Sequence, residues 1–218
     1  MNIPPPAGHQ TPDQAAAPAQ PAVEEALHSF WEKNRRLILM LCVVALLVVI
    51  GREGWQYVQA EREKSVQADF ARAGDRTEQL ATFAKANEGH TLAAIAYLRI
   101  ADQRYAAGDY RQALENYNKA VTGLTNSALL GRARVGAAMS QLNAGDKTAA
   151  ETSFKAIGAD AALTKGIRAE ATYHLASLAL EAGNSAEVSR LVAEIGKIEP
   201  AGVWSQRAST LLVGKPAL

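Results

Sequence analysis

A chain of 218 residues with 23 Lys/Arg against 22 Asp/Glu carries a net charge of +1, so it lacks the bulk positive charge that draws proteins onto nucleic acid. Its single cysteine, Cys42, excludes an internal disulfide. Beyond residue 51 only Pro200 and Pro216 interrupt an Ala- and Leu-rich sequence, a composition that favours helix.

Residues 1–22 hold six of the eight prolines, and too little apolar surface to offset chain entropy, so they read as a disordered cytoplasmic tail. Residues 23–36 follow as a juxtamembrane helix with Leu27, Phe30 and Trp31 on one face. Then comes LILMLCVVALLVVI, Leu37 to Ile50, with no charge. As a helix this run is ~21 Å long, short of the ~30 Å hydrocarbon core. Lys33, Arg35 and Arg36 before it and Arg52 after it can extend the span by snorkelling. Trp31, Trp55 and Tyr57 stand where an aromatic belt lies. Eleven Leu, Ile and Val residues contribute about −3 to −7 kcal/mol to insertion. These features predict a transmembrane helix core over 37–51, represented by Leu37, Leu41, Val44, Leu47 and Ile50. A signal peptide cut after Val58-Gln59-Ala60 fits less well, because Arg52, Glu53 and Trp55 make a poor cleavage region. The charges nearest the run favour the N-terminus in the cytoplasm and the C-terminal part across the membrane; a wider window balances them.

Residues 52–73 read as a connecting helix that leads into a first, degenerate repeat, and Gly74-Asp75 ends it. Gly followed by Asp or Asn then recurs at Gly108-Asp109, Gly145-Asp146 and Gly183-Asn184. Each Gly suits the left-handed close of one helix, and each Asp or Asn suits the N-cap of the next. Glu78, Gln112 and Glu187 stand where a capping box places Glu or Gln. A unit of helix, glycine, cap and helix, repeated about every 34 residues or slightly more, is an αα-hairpin array. The expected fold is all-α: a single N-terminal transmembrane helix, then an αα-hairpin solenoid over 74–218 with a C-terminal capping helix, Val203 to Leu212.

The repeat resembles the tetratricopeptide family. Tyr97, Ile100-Ala101, Tyr105, Gly108-Asp109-Tyr110, Ala113, Tyr117 and Ala120 make the fullest copy. Ala137-Ala138 with Ala150 and Phe154 make a second, and Leu175-Ala176 with Val188, Val192 and Pro200 a third. Around Gly74, Phe70, Phe83 and Ala86 fit, but Gln79 replaces a small residue. The resemblance implies that the first helix of each hairpin lines a peptide groove. The register places Leu98, Asp102, Tyr105, Arg132, Val135, Met139, Leu142, Tyr173, Ser177 and Leu180 there, with helix-to-helix packing as the competing role for several. One family variant grips carboxylates with a polar clamp; Lys64 and Arg132 fit it, but Ala68 and Gly136 do not.

His9, His28, His90 and His174 lack metal-ligand spacing, and no phosphate loop or nucleophile motif occurs. Glu61 and Glu63 read as a solvated helix face. The expectation is a binding protein, not an enzyme, with no cofactor and no metal.

Tail, basic-flanked span, connecting helix and small repeat domain together resemble the YfgM-like bacterial proteins, ancillary subunits of the Sec translocon. The stretches LAAIAYLRIADQRYAAGDYRQALENYNKAV and LGRARVGAAMSQLNAGD carry that likeness. It implies a single-pass inner-membrane protein with periplasmic repeats, beside the translocon and a membrane-anchored periplasmic chaperone, acting on exported polypeptides. The alternative is a structural organiser of another envelope complex, in cell division or outer-membrane assembly, which homo-oligomerisation would favour.

Overall fold

The computed structural model describes residues 21–213, and all but the last two residues of the tail expected over 1–22 lie outside them. The described residues form nine helices and no strand: α1 (Pro21–Ala73), α2 (Thr77–Ala86), α3 (Thr91–Ala106), α4 (Tyr110–Gly123), α5 (Ser127–Asn143), α6 (Lys147–Ala159), α7 (Lys165–Glu181), α8 (Ser185–Ile198) and α9 (Val203–Val213). Helix starts at Pro21, two residues earlier than the expected start at residue 23, because proline is tolerated in the first helical turn, where its missing N–H has no partner to lose. The chain divides into two units, one reaching Ala60 and the other running from Glu61.

The juxtamembrane, apolar and connecting segments are parts of one uninterrupted helix, α1, whose residues up to Ala60 belong to the first unit. Leu37, Leu41, Val44, Leu47 and Ile50 are all more than half exposed. So large a bare apolar surface needs a covering medium, and α1 is long and apolar enough to be a candidate membrane span.

The second unit is a stack of hairpins whose corners follow from local chemistry. Gly108, Gly145 and Gly183 have φ of 78°, 93° and 71°. In each corner the glycine N–H and the next N–H donate back to two carbonyls of the ending helix: Gly108 to Tyr105 and Asp109 to Arg104, Gly145 to Leu142 and Asp146 to Gln141, Gly183 to Leu180 and Asn184 to Ala179. This is the Schellman arrangement, which satisfies carbonyls that would otherwise be orphaned. The side chain of the same Asp or Asn then accepts from the third N–H of the next helix, at Gln112, Ala149 and Glu187. One residue thus closes one helix and caps the following one. Gly145→Ala meets no steric obstacle, since nothing lies within 4 Å of an added Cβ. It must still hold a left-handed backbone, so it should cost about 1–2 kcal/mol. A lower urea midpoint at unchanged slope is the expected readout.

The first corner departs from this pattern. Gly74 is left-handed, with φ 56°, but α2 starts one residue later than the pattern requires. Arg76 therefore occupies the N-cap with no side-chain bond, correcting the expectation for Asp75. Asp75 instead pairs with Arg99 at 3.2 Å, and its carbonyl accepts from Gln103 at 2.7 Å. Gly89 is a further left-handed glycine, φ 86°, between α2 and α3; with no Asp or Asn after it, the Gly-Asp/Asn pattern passes over it.

Small residues set the packing. Ala101, Ala138, Ala150 and Ala176 are fully buried, so helices meet there with almost no side chain between them. The large side chains fill the spaces this leaves. Phe83 joins Leu80 and Ile100, Tyr117 joins Leu98 and Ala133, and Phe154 joins Val135 and Leu175. Each cluster shares helices with its neighbour, as in a quasi-one-dimensional stack. At the end α9 buries Ala208 against Ala169 and Ile195.

Candidate protein-binding face

The face expected to bind peptide lies on α3, α5 and α7, and its polar centre is already engaged within the protein. Asp102 on α3 accepts from the Tyr117 hydroxyl of α4 at 2.8 Å through Oδ1 and from Arg132 of α5 at 2.7 Å through Oδ2. Asn143 of α5 donates to the Tyr105 hydroxyl at 2.7 Å. Burial, then the hydrogen bond to Asp102, hold the Tyr117 phenol well above its ordinary range. Asp102 is therefore a strut that ties three helices together and fixes Arg132. Nothing local in the sequence announces the bond between Asp102 and Tyr117, because it depends on how two helices roll against each other.

Leu98 and Val135 do not line a surface. Both are buried in core clusters, and this corrects their expected place in the groove. Met139 and Leu142 pack partly against the core below α5. Tyr173 leans on Trp204, ring centroids 5.2 Å apart, and Ser177 donates to the Tyr173 carbonyl. Arg132 and Leu180 are the exposed members of the line. The carboxylate clamp is not assembled. Arg132 is committed to Asp102, and a Cβ on Gly136 would collide with the Tyr117 ring, so no polar side chain fits there.

Other depressions lie between hairpins. One of about 400 Å³ has a floor of Leu175, Leu178 and Leu191 and a rim of Lys155, Glu187 and Arg190. On that rim Arg190 bonds both Glu187 and Glu194, and this pairing with Arg190 holds the Glu187 carboxyl below its usual range. A smaller one, about 330 Å³, is bordered by His90, Tyr97 and Lys119.

Two histidines have structural work. His90 caps α3: Nδ1 accepts from Leu92 N–H, and Nε2 meets Glu63 at 2.9 Å. Glu63 is thus held rather than merely solvated, and the hydrogen bond from His90, then that from Gln67, lowers its pKa. His174 stacks on Phe154 with centroids 5.1 Å apart and touches Tyr173 and Trp204. Burial lowers its pKa from 6.5, favouring the neutral ring. Arg207 stands over the Trp204 ring of this cluster, and its charge acts on Glu170, whose pKa burial raises. A depressed histidine gives an unfolded chain that binds the extra proton first, so stability is lost as pH falls below 6.5 and is flat above it. His174→Phe should therefore reduce the fall in Tm between pH 7.5 and pH 5.5, roughly those values bracketing the free imidazole. An unchanged pH profile would remove His174 from that account.

Stacked antiparallel hairpins, small-residue helix crossings and a terminal cap define an α-helical repeat protein. Residues 28–131 match the model of the family described as "Tetratricopeptide repeat-like domain", and this supports a tetratricopeptide-repeat family. The match begins before the apolar run and ends within α5, so it takes in the candidate span as well as the first hairpins. No curated protein matches the chain.

Proposed function

We propose that the protein is a membrane-tethered, protein-binding scaffold, a chaperone-like adaptor beside the Sec translocon that engages exported polypeptides, and not an enzyme. The observation that carries this reading is the succession, in one chain, of a bare apolar helix and a hairpin stack of the tetratricopeptide kind. Such stacks bind peptides along a face, and a tether raises the local concentration of that face near its target without new contacts. The YfgM-like resemblance supplies the translocon and the membrane-anchored periplasmic chaperone as neighbours, the inner membrane as location and the periplasm as the side of the repeats.

The test is site-specific photocrosslinking in membranes carrying a stalled export substrate. A photoreactive residue at position 180 or 132 should crosslink the exported chain, and one at position 98 or 135 should not, because those side chains are buried. Affinity isolation from the same membranes should recover translocon subunits. If neither adduct nor translocon is found, the adaptor reading fails.

A further inference from the structure

The flanks of the apolar run carry a seam. Val23, Leu27, Phe30 and Asn34 recur at alternating spacings of four and three, and the same register passes through the run to Trp55 and Val58. It is the a/d pattern of two helices packed side by side. Every charged residue of the two flanks, between positions 23 and 58, lies off this seam. Val23, Leu27, Phe30, Trp55 and Val58 are 71%, 69%, 59%, 66% and 46% exposed, so these seam positions are uncovered among the described residues.

Lipid does not reach all of it. A ~30 Å core centred on Leu37–Ile50 extends about three residues past each end of the run. Because α1 is uninterrupted from Pro21, Leu27 then stands ~10 Å and Val23 ~16 Å outside the core. The headgroup layer is only about 5–8 Å deep on each side, and a tilt of ~20° shortens these heights by less than a tenth. An interfacial helix would need a break near residue 34 to lie flat, and α1 has none. Another helix that continues beyond the bilayer would cover the whole seam. A second copy of α1 meets this condition at every seam position, since copies inserted alike run parallel. Asn34, whose amide donates to the Phe30 carbonyl at 2.9 Å in the lone helix, stands at an a position, where a single Asn facing its equivalent sets register and favours a parallel pair.

We propose that α1 pairs in parallel with α1 of a second copy of this chain along the Val23–Leu27–Phe30–Asn34 seam, continuing to Trp55 and Val58. The proposal rests on the membrane-span reading above. The test uses the full chain in its native membranes, with Cys42→Ser and one introduced cysteine. Leu27→Cys and Phe30→Cys should give an oxidant-dependent band of twice the chain mass, several-fold above that from Glu25→Cys and Glu32→Cys on the opposite face. Co-expression of tagged and untagged copies should place both in that band. Leu27→Glu with Phe30→Glu should abolish it while the chain stays membrane-bound, because both residues lie outside the apolar run. Equal yields on both faces, no band, or a seam adduct with a different protein would overturn the pairing. Alkaline extraction separates the two claims: a chain that resists it but fails to crosslink contradicts only the pairing, and a chain released by it contradicts the span.

Discussion

Leu41→Arg combined with Leu47→Arg should move the protein from the membrane fraction to the soluble fraction or to degradation. Both positions are more than half exposed on α1 and sit in the middle of the apolar run. Each substitution removes a residue that favours insertion by about 0.3–0.6 kcal/mol and adds one that opposes it by about 2.5–3.5 kcal/mol at a helix centre. The double change is therefore worth about 6–8 kcal/mol, as much as the whole gain from the eleven aliphatic residues. Snorkelling does not rescue charges this far from either end. The readout is fractionation after alkaline extraction. Lys33→Gln with Arg52→Gln is the control, since charges at the ends of the run oppose insertion little. Retention of the doubly substituted chain in the membrane would show that something other than this run anchors it.

Phe154→Ala should have the largest effect within the repeats. Phe154 is fully buried, touches the helices on both sides of α6 and stacks on His174. Truncating a buried Phe costs about 3–5 kcal/mol, through lost burial and the cavity left behind. For a unit of this size that is a fall in Tm of roughly 6–20 °C. Because contacts in a hairpin stack are between neighbours, protection from hydrogen exchange should drop most in α5 to α7 and least in α2. Phe154→Leu keeps most of the volume and should cost clearly less. A melting curve unchanged by Phe154→Ala would mean that the third cluster does not hold the stack together.

The parts of this fold that are legible in the sequence are those set by local backbone chemistry. A left-handed residue followed by a short acceptor side chain has few other uses, so Gly108-Asp109, Gly145-Asp146 and Gly183-Asn184 mark corners without knowledge of the rest. Gly74-Asp75 marks its corner but not its cap, because one extra residue moves Asp75 away from α2. The binding face is harder to read. Helices α3, α5 and α7 pack on several sides and carry apolar residues around most of their circumference, so periodicity does not single out the solvent side. That is why Leu98 and Val135 look like groove residues and are core residues. Helices α4 and α8 have one apolar side each, and their inward residues, Tyr117 and Leu191 among them, follow the helical period. Contacts such as Arg134 to Asp160 at 2.6 Å or Asp102 to Tyr117 join residues far apart in sequence and depend on the relative roll of helices.

The central claim, that a helical anchor holds this hairpin stack on the far side of a bilayer, is tested most directly by thiol accessibility in intact cells. With Cys42→Ser as background, Glu115→Cys on the exposed side of α4 should react with a membrane-impermeant maleimide once the outer barrier is opened. Glu25→Cys at the start of α1 should react only after the inner membrane is permeabilised. Labelling of both from the same side, or recovery of the labelled repeats free in solution, would contradict it.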